Sequence, residues 1–234
     1  MIKTVFFDLG NTLVDYHAGG LTDEEKDLLG LWRMHQKILK PGYEITFGEL
    51  YRTFYERWMI QCAQRNNSKH EFDVLEFLPS VLTKKEKMVL LEEFHEPVVR
   101  FAVCLNGVMD VVNELYRRGI TLGIISNTPI PGMYHDITLQ QLGLIDYFPN
   151  RFYSYDIGIR KPHSDLFLHA LRKTNANPFE SLMVGDRLQL DVLPATQVGM
   201  HGLWYVGSNK SQNTSNNEHA IEDFKELLQR IECL

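Results

Sequence analysis

The pattern that most restricts this chain is a recurrence: a short β-prone run, a turn, then a helical stretch, met along its length and broken once by a long segment without a strand. The runs are "TVFFD" at 4–8, "ITLGIISN" at 120–127, "RFYSYDIG" at 151–158, "SLMVGD" at 181–186 and "HGLWYVG" at 201–207. Each reads as a buried strand closed by turn-forming residues. Helical patterns over 108–118, 134–142 and 189–198 stop at Gly119, Gly143 and Gly199, residues suited to the left-handed conformation that ends a helix. Strands alternating with helices imply a parallel sheet covered on both faces. The expected class is α/β, with five parallel strands in a three-layer core.

Residues 16–103 break the rhythm. They carry amphipathic helical patterns around 22–39, 47–65 and 83–100 and no convincing strand. The stretch is too long for a loop. It is expected to be a helical cap over residues 17–103, inserted into a core made of residues 1–16 and 104–234. Such a cap lies over the C-terminal edge of the sheet, where open α/β sheets bind ligands. Near the other end, the polar, turn-rich "GSNKSQNTSNNEH" at 207–219 predicts a mobile loop before a last helix over 220–231.

Composition excludes several classes. Of 234 residues, 24 are basic and 30 acidic, for a formal charge of −6 without a long run of either sign, so no nucleic-acid footprint is present. Cys62, Cys104 and Cys233 are odd in number and far apart, which argues against a disulfide framework or a zinc knuckle. No charged leader or membrane-length apolar run occurs, and the expected home is the cytoplasm. No feature assigns an oligomeric state.

Parallel strands point their C-terminal ends at one rim, so residues just past those ends converge. They are Asp8, Ser126 with Asn127, Lys161, and Asp186 with Asp191. Clustered carboxylates ask for a hard cation such as Mg2+. A cation beside a lysine and a hydroxyl is what a phosphoryl group needs, because its charge develops on oxygens that cations and donors stabilise. Backbone N–H groups at 9–11 add to that cradle. Taken singly, Asp8 is a turn residue, Lys161 a loop lysine and Asp186 a helix cap; the ordered set at strand ends carries the functional reading.

With these residues in this order, the chain resembles the haloacid dehalogenase superfamily, mostly phosphatases and phosphotransferases, and within it the members with a helical cap between the first and second motifs. All four motifs are present between Asp8 and Asp191. The resemblance implies a Rossmann-like core. It implies that Asp8 is the nucleophile forming an aspartyl-phosphate and that Ser126 and the Asn127 backbone hold phosphoryl oxygens. Lys161 would neutralise the shared charge. Asp8, Asp186 and the Gly10 carbonyl would bind Mg2+, and Asp191 would orient a water ligand or Lys161 from behind. The substrate would be a small phosphorylated metabolite.

The first motif departs from the family's usual D-x-D-G-T. It reads Asp8-Leu9-Gly10-Asn11-Thr12, and the second acid, which protonates the leaving group, is missing. Gly and Asn both tolerate positive φ, so the turn is expected to survive. A slowed phosphatase favouring good leaving groups follows, or one in which Asp15 or His17 stands in. Two alternatives stay open: a non-catalytic binding relative, and a phosphonate-cleaving relative that would use a cap lysine such as Lys37, Lys40 or Lys69. Trp32, Arg33, Arg52, Tyr55, Arg57 and Trp58 are candidate cap contacts, each with a core or surface role as its simpler explanation. Arg160, beside Lys161, is a candidate anion contact.

Overall fold

The structure, a computed structural model, describes residues 1–38, 44–65, 68–207 and 219–234. Lys40 and all but the ends of the polar segment 207–219 lie outside the described residues.

Strand β1 (Thr4–Phe7) leads into a turn and a short strand β2 (Val14–Asp15). Helices α1 (Asp23–Ile38), α2 (Phe47–Leu50), α3 (Glu56–Gln64) and α4 (Lys84–Arg100) follow, and β3 (Val103–Cys104) pairs antiparallel with β2. Then come α5 (Val108–Arg117), β4 (Thr121–Ser126), α6 (Met133–Gln141), β5 (Asn150–Tyr153), α7 (Ser154–Ile157) and α8 (Ser164–Thr174). The chain closes with β6 (Ser181–Gly185), α9 (Leu193–Gln197), β7 (His201–Tyr205), β8 (Ala220–Ile221) and α10 (Phe224–Cys233).

The main sheet is parallel, in the order β5-β4-β1-β6-β7-β8. It has six strands rather than five, because the two residues of β8 extend the edge beyond β7. Side chains alternate across it. Val5 and Phe7 join one buried cluster with α5, α6 and α10, while Phe6 joins another with α8 and α9. Three layers result. The run at 151–158 is strand only as far as Tyr153; it then turns into α7, which ends at Gly158 with φ of 79°.

The helical segment has a separate buried cluster, built on Leu31 and Met34 of α1, Phe54, Trp58 of α3, and Leu90, Leu91 and Phe94 of α4, joined by Tyr134 of α6 and Ile130 just before it. Its helices start at Thr22, Thr46 and Thr83. Each threonine takes a backbone N–H from a glutamate three residues on, whose carboxylate reaches back to the threonine N–H. Each such cap contributes about 1 kcal/mol. Helices α1 and α4 touch backbone to backbone, since a Cβ at Gly30 would stand 2.0 Å from the Phe94 carbonyl oxygen. Residues 47–64 run as one helix with a π-helical stretch at Tyr51–Tyr55 between α2 and α3.

Candidate active site

Strand β1 delivers Asp8 to the rim. Its N–H still bonds to the Val184 carbonyl at 2.8 Å, so the first residue after the strand is held by the ladder itself. The chain then reverses: the Leu13 and Val14 N–H groups both return to the Leu9 carbonyl at 2.9 Å. Asn11 takes the left-handed conformation (φ 57°), and Gly10 does not. Glycine is therefore not required by the backbone at position 10, and a Cβ there would meet only the Tyr16 ring, at 3.6 Å.

Lys161 sits at the centre of the rim, almost fully buried. Its Nζ donates to Asp8 Oδ1 at 2.6 Å and to the Ile125 carbonyl at 2.7 Å, and lies 2.6 Å from Asp191 Oδ1. Burial works against its charge, but Asp191 and Asp8 outweigh burial and raise its pKa. Asn127 anchors the lysine from behind. Its side chain donates to the Lys161 carbonyl at 2.9 Å and accepts the Lys161 N–H at 2.8 Å. Those bonds occupy the side chain, a positioning role that the sequence did not reveal. Ser126 ends β4 and lines the same chamber.

Asp186 and Asp191 follow β6. The Asp186 carbonyl accepts the Trp204 indole N–H at 2.9 Å, and Asp191 Oδ2 accepts the Arg187 N–H at 3.0 Å. Gly185 makes room for this turn, because a Cβ there would fall 2.4 Å from that of Asp191. Asp8, Asp186 and Asp191 each offer a carboxylate oxygen within 4.8 Å of the others. Burial and mutual repulsion raise the pKa values of Asp186 and Asp191. A divalent cation fits such a set, because it removes the repulsion that these carboxylates otherwise carry.

The chamber is also lined by Gly10, Asn11, Arg65, Arg160 and Arg187. Arg65, at the end of α3, grips Glu71 with Nη2 at 2.9 and 3.2 Å from its two oxygens. Arg160 Nη1 lies 3.0 Å from Glu71 Oε1 but outside hydrogen-bond geometry, so Nε and Nη1 lack acceptors. Burial first, and the Arg65 guanidinium next, push Arg160 down to about 10. Burial raises Glu71. Arg65 and Glu71 belong to no motif. The one sequence signal is the charge of Arg65 at the end of an amphipathic helix, which many solvated residues share.

Other candidates fall elsewhere. Asp15 accepts the His17 N–H, and His17 pairs with Asp23; neither lines the chamber. Lys37 pairs with Glu93 and Lys69 with Asp165. Tyr55 and Trp58 are core, Arg57 stacks on Phe77, Trp32 is exposed and Arg33 binds Glu93. Behind Gly10, Tyr16 OH lies 3.2 Å from His135 Nδ1, whose Nε2 lies 2.7 Å from Thr128 Oγ1.

A family model described as haloacid dehalogenase-like hydrolase matches residues 2–199. The chain is 30% identical over 208 residues to a glyceraldehyde 3-phosphate phosphatase of Pyrococcus abyssi, covering 88% of this chain and 82% of the relative. It is 28% identical to the protein of that name from Pyrococcus furiosus, over 100% and 93% of the two chains. Among solved structures, a HAD phosphatase from Thermococcus onnurineus superposes with a TM-score of 0.67 over 98% of each chain at 24% identity, a likeness of fold. Among the described residues, no helix is long and apolar enough to cross a membrane.

Proposed function

The chain belongs to the haloacid dehalogenase-like hydrolases, and from that membership we propose that it is a Mg2+-dependent phosphatase of a small phosphorylated metabolite, working through an aspartyl-phosphate on Asp8. The observation that carries the reading is the buried Asp8–Lys161–Asp191 constellation, with Asp186 beside it. The names of the relatives, phosphatases of a triose phosphate, support the substrate class.

In this reading an Asp8 carboxylate oxygen attacks phosphorus and the ester P–O bond breaks, its electron pair leaving on the alcohol oxygen. Lys161 holds Asp8 in line while balancing its charge, and Asp191 holds Lys161. The Ser126 hydroxyl and the N–H groups of Leu9 and Gly10 donate to phosphoryl oxygens, whereas the Asn11 N–H is spent on the Val14 carbonyl at 2.8 Å. Asp8, Asp186 and the Gly10 carbonyl would hold the cation, which supplies charge stabilisation to those oxygens. Water then cleaves the acyl phosphate, releasing phosphate and restoring Asp8. With Gly10 in place of an acid, the leaving oxygen takes its proton from solvent, forgoing a contribution of about 10²–10⁴-fold. Residues 17–103 act as a cap that excludes water and large substrates.

Gly10 alone favours the second reading, a binder without turnover. Hydrolysis of an aryl phosphate with Mg2+ separates the two, because a good leaving group needs no acid. The wild type should turn over, and Asp8→Asn should lose about 10³-fold or more. An inactive wild type that forms no beryllium fluoride adduct at Asp8 would sink the phosphatase reading.

A further inference from the structure

Where the chamber meets the helical segment, two guanidiniums face one carboxylate. Lys161 is matched by Asp8 and Asp191, whereas Arg65 and Arg160 share Glu71. No carboxylate among the described residues lies within ion-pair distance of Arg187, which is exposed at the chamber wall. Arg160 is the decisive member. Its side chain is only 4% exposed, yet two of its nitrogens have no acceptor. Unmet buried donors are costly and few in native proteins, so each calls for a partner.

We propose that Arg160, with Arg65 and Arg187, forms a subsite for a second anionic group, a carboxylate or second phosphoryl, on the substrate's leaving group. This rests on the phosphatase reading. The side of the chamber follows from the contacts: Lys161 and the carboxylates meet at the sheet rim, while Arg65 and Arg160 meet Glu71 of the helical segment above it. The chemistry follows from the fork. A guanidinium presents paired N–H groups that match two oxygens of a carboxylate or phosphate. Glu71 supplies one negative charge to two guanidiniums, holding them together without exhausting their donors.

A simpler alternative assigns the three arginines to the transferred phosphoryl group alone, and a matched pair of substrates separates the two. 3-Phosphoglycerate and glyceraldehyde 3-phosphate present the same phosphate and differ by a carboxylate in place of an aldehyde. With Mg2+ and the full chain, kcat/KM for 3-phosphoglycerate should exceed that for glyceraldehyde 3-phosphate by about tenfold or more, the scale of a charged hydrogen bond. Arg160→Gln should lower that ratio about tenfold, and Arg187→Gln, at an exposed site that leaves folding intact, about threefold. A structural role for Arg160 would slow both substrates alike and leave the ratio in place. Equal values for the two compounds, a preference for the aldehyde, or a ratio unmoved in both variants overturns the subsite. If neither compound nor an aryl phosphate is hydrolysed, the phosphatase reading fails instead. Titration calorimetry on Asp8→Asn then decides the subsite: tighter binding of 3-phosphoglycerate upholds it, and equal binding overturns it.

Discussion

Arg160 and Lys161 are neighbours in the chain and opposites in the structure. Lys161 reaches down to the sheet rim, where two carboxylates and a carbonyl surround its ammonium. Arg160 faces the helical layer, where it keeps donors unmet. The rim is held by a ladder that continues through the Asp8 N–H to the Val184 carbonyl. On the helical side one carboxylate serves two guanidiniums. What the proposed subsite recognises depends on donors that Glu71 leaves unmet.

Disturbing the helical layer alone gives the largest effect. Gly30→Ala sets a Cβ against the Phe94 backbone, which cannot move without separating α1 from α4. The expected cost is about 3 kcal/mol, or roughly 6–12 °C in Tm for a chain of this size. An unchanged Tm would contradict the backbone contact that holds the helical layer together.

The junction between the two regions gives a smaller effect with a pH signature. His95 of α4 and His135 of α6 are buried with ring centroids 5.3 Å apart. Burial holds His135 down to about 4 and His95 well below the ordinary value of 6.5. A lowered histidine contributes stability that is complete above the unfolded value and is lost as pH falls towards the folded one. His135 should cost about 2 kcal/mol between pH 7 and 5, and His95 adds to the loss in the same direction. Urea denaturation of His95→Phe should therefore show a smaller loss over that interval than the wild type's. An identical loss would remove His95 from this role.

The same division governs what could be read from the sequence. The long strands were legible because a buried run followed by a turn is a local pattern, and their order at one rim made the Asp8, Ser126, Lys161 and Asp186 set visible. The strands β2, β3 and β8 have two residues each and carry no periodicity to detect. Tyr153 marks another limit: α7 begins at Ser154, although the run continues in sequence and no local rule marks that end. Arg65 and Glu71 were not legible because their meaning depends on Arg160, distant in sequence. The turn at Gly10 was half legible, since only Asn11 takes positive φ.

That last detail makes the central claim testable by one substitution. In the proposed reaction the centre is complete except for the acid that position 10 would supply. Gly10 has an ordinary backbone conformation, and a Cβ there meets only the Tyr16 ring at 3.6 and 3.7 Å. The decisive measurement is kcat/KM of Gly10→Asp against wild type on an alkyl phosphate and an aryl phosphate, with Mg2+ and with folding checked by circular dichroism. The account predicts a gain of about 10²-fold on the alkyl phosphate and less than about threefold on the aryl phosphate. A correctly folded variant whose alkyl phosphate rate stays level or falls would contradict it.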